Sequence, residues 1–150
     1  MLKYAKEKWA ENNDKLRKVI EETPKDERCS WEYEDILRLI IQNVLNPGSV
    51  YHFAKLSNNF HVINDGSYQG TLIFLMYREC YQPSIDDYLI TFVEYGSCSG
   101  CDTLQGIQSD EYWVKGDPVS DYMALCKDIV TNLKHPFDTY LKMEEVEVDE

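Results

Sequence analysis

The chain has 150 residues, of which 43% are hydrophobic, and its formal net charge at pH 7 is −12. This length and composition fit one compact domain with its own core, without a need for disulfides or a structural metal. The charge argues against sequence-independent binding to duplex DNA, because that mode places Lys and Arg opposite many phosphates. It favours basic protein partners, although acidity also serves simply to keep a small protein soluble.

No apolar run approaches the roughly 20 residues that span a bilayer. The first fifteen residues lack the apolar segment of a signal peptide. Five cysteines without dense spacing favour reduced thiols over a disulfide framework. We therefore expect a soluble cytoplasmic protein that does not contact membranes.

The N-terminal part of the chain is predicted to be helical. Residues 2–22 carry apolar side chains at mostly helical spacing, which predicts one helix or two short ones. This element either packs at the edge of the domain or is appended to it and contacts a second subunit. A second, broadly apolar helix is predicted to begin at Ser30 and to end at residues 46–48, Asn-Pro-Gly. A short third helix is predicted over residues 50–56.

Three strands are predicted next, at residues 60–63, 71–77 and 87–95. Residues 64–66, Asn-Asp-Gly, are a strong turn signal between the first two. The third segment is β-branched and aromatic and predicts a central, mostly buried strand. If Phe92 faces the core, its replacement by alanine costs about 3 to 5 kcal/mol. Three consecutive strands with short connections most simply form an antiparallel meander.

The C-terminal part returns to helical patterns. A short helix is predicted to start near Leu104, and a longer one covers residues 118–133. The fold class is therefore α+β, with a three-stranded or slightly larger antiparallel sheet packed with N-terminal and C-terminal helices. We expect a single domain over residues 1–143, in which residues 1–28 are the candidate appended helix. The acidic residues 144–150 are expected to form a flexible tail.

The third predicted strand ends in Gly-Ser-Cys-Ser-Gly-Cys-Asp, residues 96–102, which we call the cysteine turn. Its glycines permit a tight turn, and Cys98 and Cys101 lie three residues apart. Such a pair can exchange with disulfides, although the βαβ context typical of that chemistry is not predicted here. The favoured interpretation is structural, with both cysteines as small, mostly buried packing residues.

Two further interpretations of the cysteine turn remain open. Residues 96–100 have the form of a nucleophile elbow in which cysteine replaces serine, with His135 as the base. The chain is short for a hydrolase sheet of that kind. The pair could also supply half of a zinc site, completed by Cys80, His61, Cys126 or His135. No second Cys-x-x-Cys and no His-x3-His supports the zinc site.

A second polar group lies between the first two strands. Residues 65–70, Asp-Gly-Ser-Tyr-Gln-Gly, consist of ordinary turn residues, and a solvated hairpin loop is the simpler interpretation. The strand register decides whether this loop shares an end of the sheet with the cysteine turn. No catalytic residue is assigned, and any metal would be held by the two cysteines. The candidate residues for binding a ligand or partner are Asp65, Tyr68, Gln69, Ser97, Cys98, Ser99, Cys101, Asp102 and Gln105.

Three segments carry a resemblance to a known group of proteins. DGSYQGTLIFLMY and YLITFVEYGSCSGCDTLQGI, together with the helix that begins YEDIL, resemble a family of small uncharacterised proteins encoded in bacteriophage genomes. The resemblance covers roughly residues 33–130, and YGSCSGCDTLQ is its most specific string. It implies an accessory protein that acts on a host component in the bacterial cytoplasm.

The leading hypothesis is a non-enzymatic phage protein that binds and inhibits or redirects a host factor, in counter-defence or host takeover. Its partner would be a host protein with a basic surface. One alternative is a small thiol-dependent or zinc-dependent enzyme that uses Cys98 and Cys101. Another is a protein that sequesters a nucleotide-like small molecule. No cofactor is expected apart from zinc in that enzyme, and a homo-oligomer is one open alternative for the assembly.

Overall fold

The structure, a computed structural model, describes residues 1–48, 55–113 and 117–136. The helix predicted over residues 50–56 falls mostly outside these ranges, and the predicted tail at residues 144–150 lies wholly outside them. Within the described ranges the architecture is α+β, as predicted, with helices before and after a three-stranded antiparallel sheet. None of the described helices is both long and apolar enough to cross a bilayer.

Helices form most of the fold around the sheet. The described helices are α1 (Lys3–Glu22), α2 (Lys25–Arg28), α3 (Tyr33–Ile40), its continuation as a π-helical turn (Ile41–Leu45), α4 (Thr103–Trp113) and α5 (Pro118–Thr131). α1 is one continuous helix, and its Leu16 and Ile20 are fully buried in the core. α4 is longer than the short helix predicted after the cysteine turn.

α3 begins three residues later than predicted. The Asp35 carboxylate accepts the backbone N–H of Glu32 at 2.9 Å, which caps the helix at Glu32. The Ser30 hydroxyl instead donates to the Glu27 carbonyl at 2.8 Å, in the turn that follows α2. Ser30 is therefore part of the connection between two helices, and an acidic pair rather than a serine defines where α3 starts.

The sheet is the predicted meander, with β1 (His61–Asn64), β2 (Gly70–Tyr77) and β3 (Tyr88–Tyr95) in the order β1-β2-β3. The prediction that the third strand is central is wrong, because β2 occupies that position. On its other side, β3 pairs through Ile90, which exchanges two backbone hydrogen bonds of 2.8 and 2.9 Å with Lys134. An apolar sequence predicts burial of a strand but not its place in the sheet.

The two faces of the sheet differ in burial. On the inner face Phe74 is fully buried, and the Thr91 hydroxyl donates to the carbonyl of Ile129 in α5 at 2.7 Å. On the outer face Phe92 is 36% exposed and Ile63 is 52% exposed. Phe92 therefore does not meet the condition under which its replacement by alanine was expected to cost about 3 to 5 kcal/mol. From the strand register, the apolar outer face consists of Ile63, Ile73, Leu75, Ile90 and Phe92.

This difference in burial makes Phe74 and Phe92 a matched pair for mutation. Phe74→Ala removes a fully buried ring and should lower the free energy of unfolding by about 3 to 5 kcal/mol. Phe92→Ala removes the same atoms from the outer face and should cost about 1 kcal/mol or less. Urea unfolding of both variants provides the measurement. Equal losses would show that the two faces are assigned incorrectly.

Candidate functional site

The strand register brings the two predicted loops to the same end of the sheet. Gly70, the first residue of β2, pairs with Tyr95, the last residue of β3. The end of the hairpin loop (residues 65–69) therefore lies beside the start of the cysteine turn. The Tyr95 hydroxyl donates to the side-chain oxygen of Asn64, which ties the end of β3 to the end of β1.

The buried carboxylate of Asp102 holds the cysteine turn in place. Its Oδ2 accepts the backbone N–H of Gly96 at 2.9 Å. Its Oδ1 accepts the Tyr33 hydroxyl at 2.9 Å and the backbone N–H of Gln105 at 3.0 Å. Burial, together with this carboxylate, raises the pKa of Tyr33 well above its usual value, so Tyr33 stays a donor. Asp102 therefore supports the site from behind rather than facing a ligand.

Gln105 completes the support of the turn. Its side-chain amide donates to the Gly96 carbonyl at 3.0 Å, so both backbone polar groups of Gly96 are bound by side chains. The Tyr33 hydroxyl also accepts the backbone N–H of Leu104 at 3.1 Å. Sequence analysis did not identify Tyr33 as a site residue. It lies 69 positions from Asp102 along the chain, and no local pattern signals such a contact.

Gly96 lies in close contact with Cys101. A Cβ atom built on Gly96 would lie 2.4 Å from the Cys101 carbonyl oxygen and 2.6 Å from its sulfur. No larger residue fits without a shift of the turn. Gly100 differs, because a Cβ there would meet its nearest neighbour, the Cys98 sulfur, at an ordinary 4.0 Å. The position of the Cys101 sulfur is thus set by contact with Gly96.

Cys98 and Cys101 are both exposed free cysteines, and their sulfurs lie 2.9 Å apart. The backbone N–H of Cys101 donates to the Cys98 carbonyl at 3.1 Å, which closes a β-turn. The Cα atoms at the ends of a β-turn are within about 7 Å, a range that overlaps the roughly 4.4 to 6.8 Å of disulfides. A disulfide could form here with little backbone movement. The interpretation of the pair as buried packing residues is wrong.

The cysteines also differ in acidity. Hydrogen bonds from the side chain and backbone of Cys98 lower the pKa of Cys101 below 9.0, the ordinary value for a thiol. Burial raises the pKa of Cys126 to about 12. Desolvation and a neighbouring carboxylate, Glu111 for Cys29 and Asp87 for Cys80, raise the pKa values of these two thiols. Because the thiolate is the nucleophile, Cys101 is better prepared for reaction than these three thiols.

The described residues do not place further metal ligands or a catalytic base beside the two cysteines, as the zinc site and the nucleophile elbow would require. In the described ranges, no group of three or more His, Cys, Asp or Glu side chains is placed to hold a metal ion. The proposed additional zinc ligands do not join the two cysteines there. The Cys98 sulfur contacts the Cys101 sulfur, whereas a nucleophile elbow would require a base such as His135 at that position.

The remaining candidate residues lie in the two loops. Asp65 shapes the hairpin loop, because its carboxylate accepts the backbone N–H of Thr71 at 2.8 Å. This supports the simpler interpretation of Asp65 as a turn residue. Every member of the candidate set except Asp102 is exposed, and Tyr68, Gln69, Ser97 and Ser99 are among the exposed members.

A cleft of about 490 Å³ lies beside the cysteine turn. Its walls come from residues 30–34, from Leu72 and Tyr95 in the sheet, from Gly96 and from the start of α4. Neither cysteine lines this cleft, but Gly96 does line it and also contacts the Cys101 sulfur. The residues around Tyr33 were predicted only as a helix start, so sequence analysis missed this wall.

No protein-family model, no curated protein and no solved structure matches this chain.

The close contact at Gly96 generates a prediction with a matched control. Gly96→Ala should displace Cys101, lower the free energy of unfolding by about 1 to 3 kcal/mol and slow disulfide formation in the turn. Gly100→Ala adds the same methyl group where space exists and should change both quantities little. Urea unfolding and the rate of thiol loss under a mild oxidant measure the effects. If the two variants behaved alike, the contact would not control the turn.

Proposed function

We propose that the protein carries out reversible thiol–disulfide exchange at Cys98 and Cys101. The observation that carries this proposal is the 2.9 Å separation of two exposed sulfurs within one closed turn. The lowered pKa of Cys101 supports it, since exchange begins with a thiolate. The following helix adds to the effect, because the positive end of α4 lies next to Cys101.

The exchange needs a disulfide of another molecule as its co-reactant. The Cys101 thiolate attacks one sulfur of that disulfide, a mixed disulfide forms, and the first substrate thiolate leaves. Cys98 then loses its proton to solvent and attacks the Cys101 sulfur. The second substrate thiolate leaves, and the protein holds a disulfide between Cys98 and Cys101. The substrate gains two electrons, the protein loses two, and the reverse reaction oxidises a dithiol.

The support around the turn suits this reaction. The bonds from Asp102 and Gln105 to Gly96 hold the backbone against which Cys101 packs. A fixed pair of sulfurs turns the second step into an intramolecular one with a high effective concentration. The protein therefore needs no metal or organic cofactor for this chemistry.

The test uses bis(2-hydroxyethyl) disulfide, an uncharged substrate. Reduced wild-type protein should lose two hydrogen atoms in mass, and peptide mapping should find the link between Cys98 and Cys101. Cys98→Ser should instead accumulate a mixed disulfide at Cys101, because the second attack is missing. Exposed Cys80 is an internal control. For each unit by which the pKa of Cys101 lies below that of Cys80, Cys101 should react about threefold faster than Cys80. The larger fraction of thiolate outweighs the lower nucleophilicity of each thiolate.

Two results would count against thiol–disulfide exchange. In the first, the wild-type protein stops at a mixed disulfide and never forms the internal one. In the second, Cys80 reacts as fast as Cys101.

A second candidate function is a phage accessory protein that binds a host factor with a basic surface. It is supported by the exposed apolar outer face of the sheet, where Ile63 is 52% and Phe92 is 36% exposed. Apolar patches of this kind often contact partners. Glu94 is exposed on the same face, and the net charge of −12 favours a basic partner. Sequestration of a nucleotide is less well supported, because no described residue lining the cleft is Lys, Arg or His.

Substitution of Ile63 tests this second function. A basic bacterial protein captured by the wild type should be lost with Ile63→Ser and released at about 0.5 M salt. Trp113→Ser is the control, since Trp113 is 77% exposed on α4, away from the sheet. Direct binding of the purified partner should repeat the pattern. Equal binding by Ile63→Ser, or no capture at low salt, would contradict an interface at the outer face.

A further inference from the structure

We propose that the cleft beside the cysteine turn selects positively charged substrates, such as disulfides within Lys-rich or Arg-rich peptide segments. This inference rests on the exchange reaction proposed above and assigns its substrate class. The cleft and the thiol pair share Gly96, which lines the cleft and contacts the Cys101 sulfur. A substrate whose disulfide reaches Cys101 therefore has the cleft within reach of its neighbouring groups.

The lining residues of the cleft that carry a formal charge at pH 7 are all carboxylates. They are Glu32 and Glu34 at the start of α3 and Asp102 before α4. None of the described lining residues is Lys, Arg or His. A cleft lined by charge of one sign focuses the electric field and raises the local concentration of oppositely charged substrates.

Two helix ends at the cleft reduce this negative charge but do not reverse it. α3 and α4 both begin at the cleft wall, and a helix N-terminus is equivalent to about +0.5 charge. Together they contribute roughly +1 against three carboxylates, which leaves about −2. Asp102 is buried and already accepts three hydrogen bonds. Glu34 and the exposed Glu32, whose side chain also accepts the backbone N–H of Asp35, are the carboxylates that a substrate reaches.

The other lining residues also suit a cationic segment. Trp31, Tyr33 and Tyr95 line the cleft, and aromatic rings attract ammonium and guanidinium groups. The volume of about 490 Å³ is within the usual range of about 300 to 1,000 Å³ for ligand sites. It has room for one or two long side chains next to the reacting disulfide. Oxidised glutathione, which carries net negative charge, is disfavoured here.

The test compares three disulfides of different charge: cystamine is cationic, bis(2-hydroxyethyl) disulfide is neutral and oxidised glutathione is anionic. Each second-order rate constant with reduced protein is divided by the rate constant for free dithiothreitol, which corrects for intrinsic reactivity. We expect a corrected preference of about tenfold or more for cystamine over oxidised glutathione at low ionic strength. The preference should shrink at about 0.5 M NaCl.

The double variant Glu32→Gln/Glu34→Gln should reduce the corrected preference at least about threefold. The control is Glu7→Gln/Glu11→Gln on α1, which removes the same charge elsewhere. This part of α1 packs near Leu45, where the Tyr4 hydroxyl donates to the Leu45 carbonyl. Leu45 ends the helix that starts at the cleft, so Glu7 and Glu11 lie about 20 Å from the cleft.

The outcomes separate this inference from the function on which it rests. No internal disulfide with the neutral substrate would overturn the exchange reaction itself. Reaction with the neutral substrate but equal corrected rates for all three disulfides would overturn charge selection alone. A preference for the anionic disulfide would also overturn charge selection alone. So would a cystamine preference that the Glu32→Gln/Glu34→Gln variant retains in full.

Discussion

The buried carboxylate of Asp102 joins three secondary-structure elements: a helix from the first third of the chain, a strand and the helix that follows that strand. It binds the Tyr33 hydroxyl at the start of α3, the N–H of Gly96 at the end of β3 and the N–H of Gln105 in α4. A buried carboxylate is costly unless donors surround it, and hydrogen bonds to charged groups contribute about 1.5 to 3 kcal/mol each. The chain path through the cysteine turn is therefore tied to the hydrogen bonds that join the start of α3 to the start of α4.

The properties of the thiol pair follow from this constraint. With the N–H and carbonyl of Gly96 both bound, the chain turns back so closely that Cys101 contacts Gly96 directly. The turn then places Cys98 next to Cys101, with both sulfurs exposed. The same framework forms a wall of the cleft. Reactivity and substrate access are thus properties of one hydrogen-bonded unit, whereas the outer face of the sheet is a separate surface.

Much of the fold could be predicted from local pattern. The β-branched segments and the Asn-Asp-Gly turn identified the strands, and the meander followed from their short connections. The faces of β3 could not be predicted, because Leu89 to Val93 are apolar on both sides except at Thr91. The sequence therefore left open which face of the sheet Phe92 occupies. The exposure of the cysteines was missed for a similar reason, since small residues suit both a packed turn and an open one.

The site could be predicted only in part. Sequence identified the residues of both loops, but their meeting depends on the pairing of Gly70 with Tyr95, which is a property of register. Asp102 was recognised as a polar candidate, and its structural role became clear only with Tyr33, 69 positions away. The cleft could not be predicted for the same reason, because its walls come from segments that are far apart in the chain: residues 30–34, the sheet and residues 102–108.

The central claim, that Cys98 and Cys101 form one redox-active dithiol, is tested most directly by an equilibrium redox titration. The protein is incubated in buffers of 2-mercaptoethanol and bis(2-hydroxyethyl) disulfide, quenched in acid, alkylated and mapped by mass spectrometry. The account predicts one two-electron transition confined to this pair, absent from Cys101→Ser, while the other cysteines stay reduced. A pair that stays reduced in the disulfide alone, or a disulfide that involves another cysteine, would contradict it.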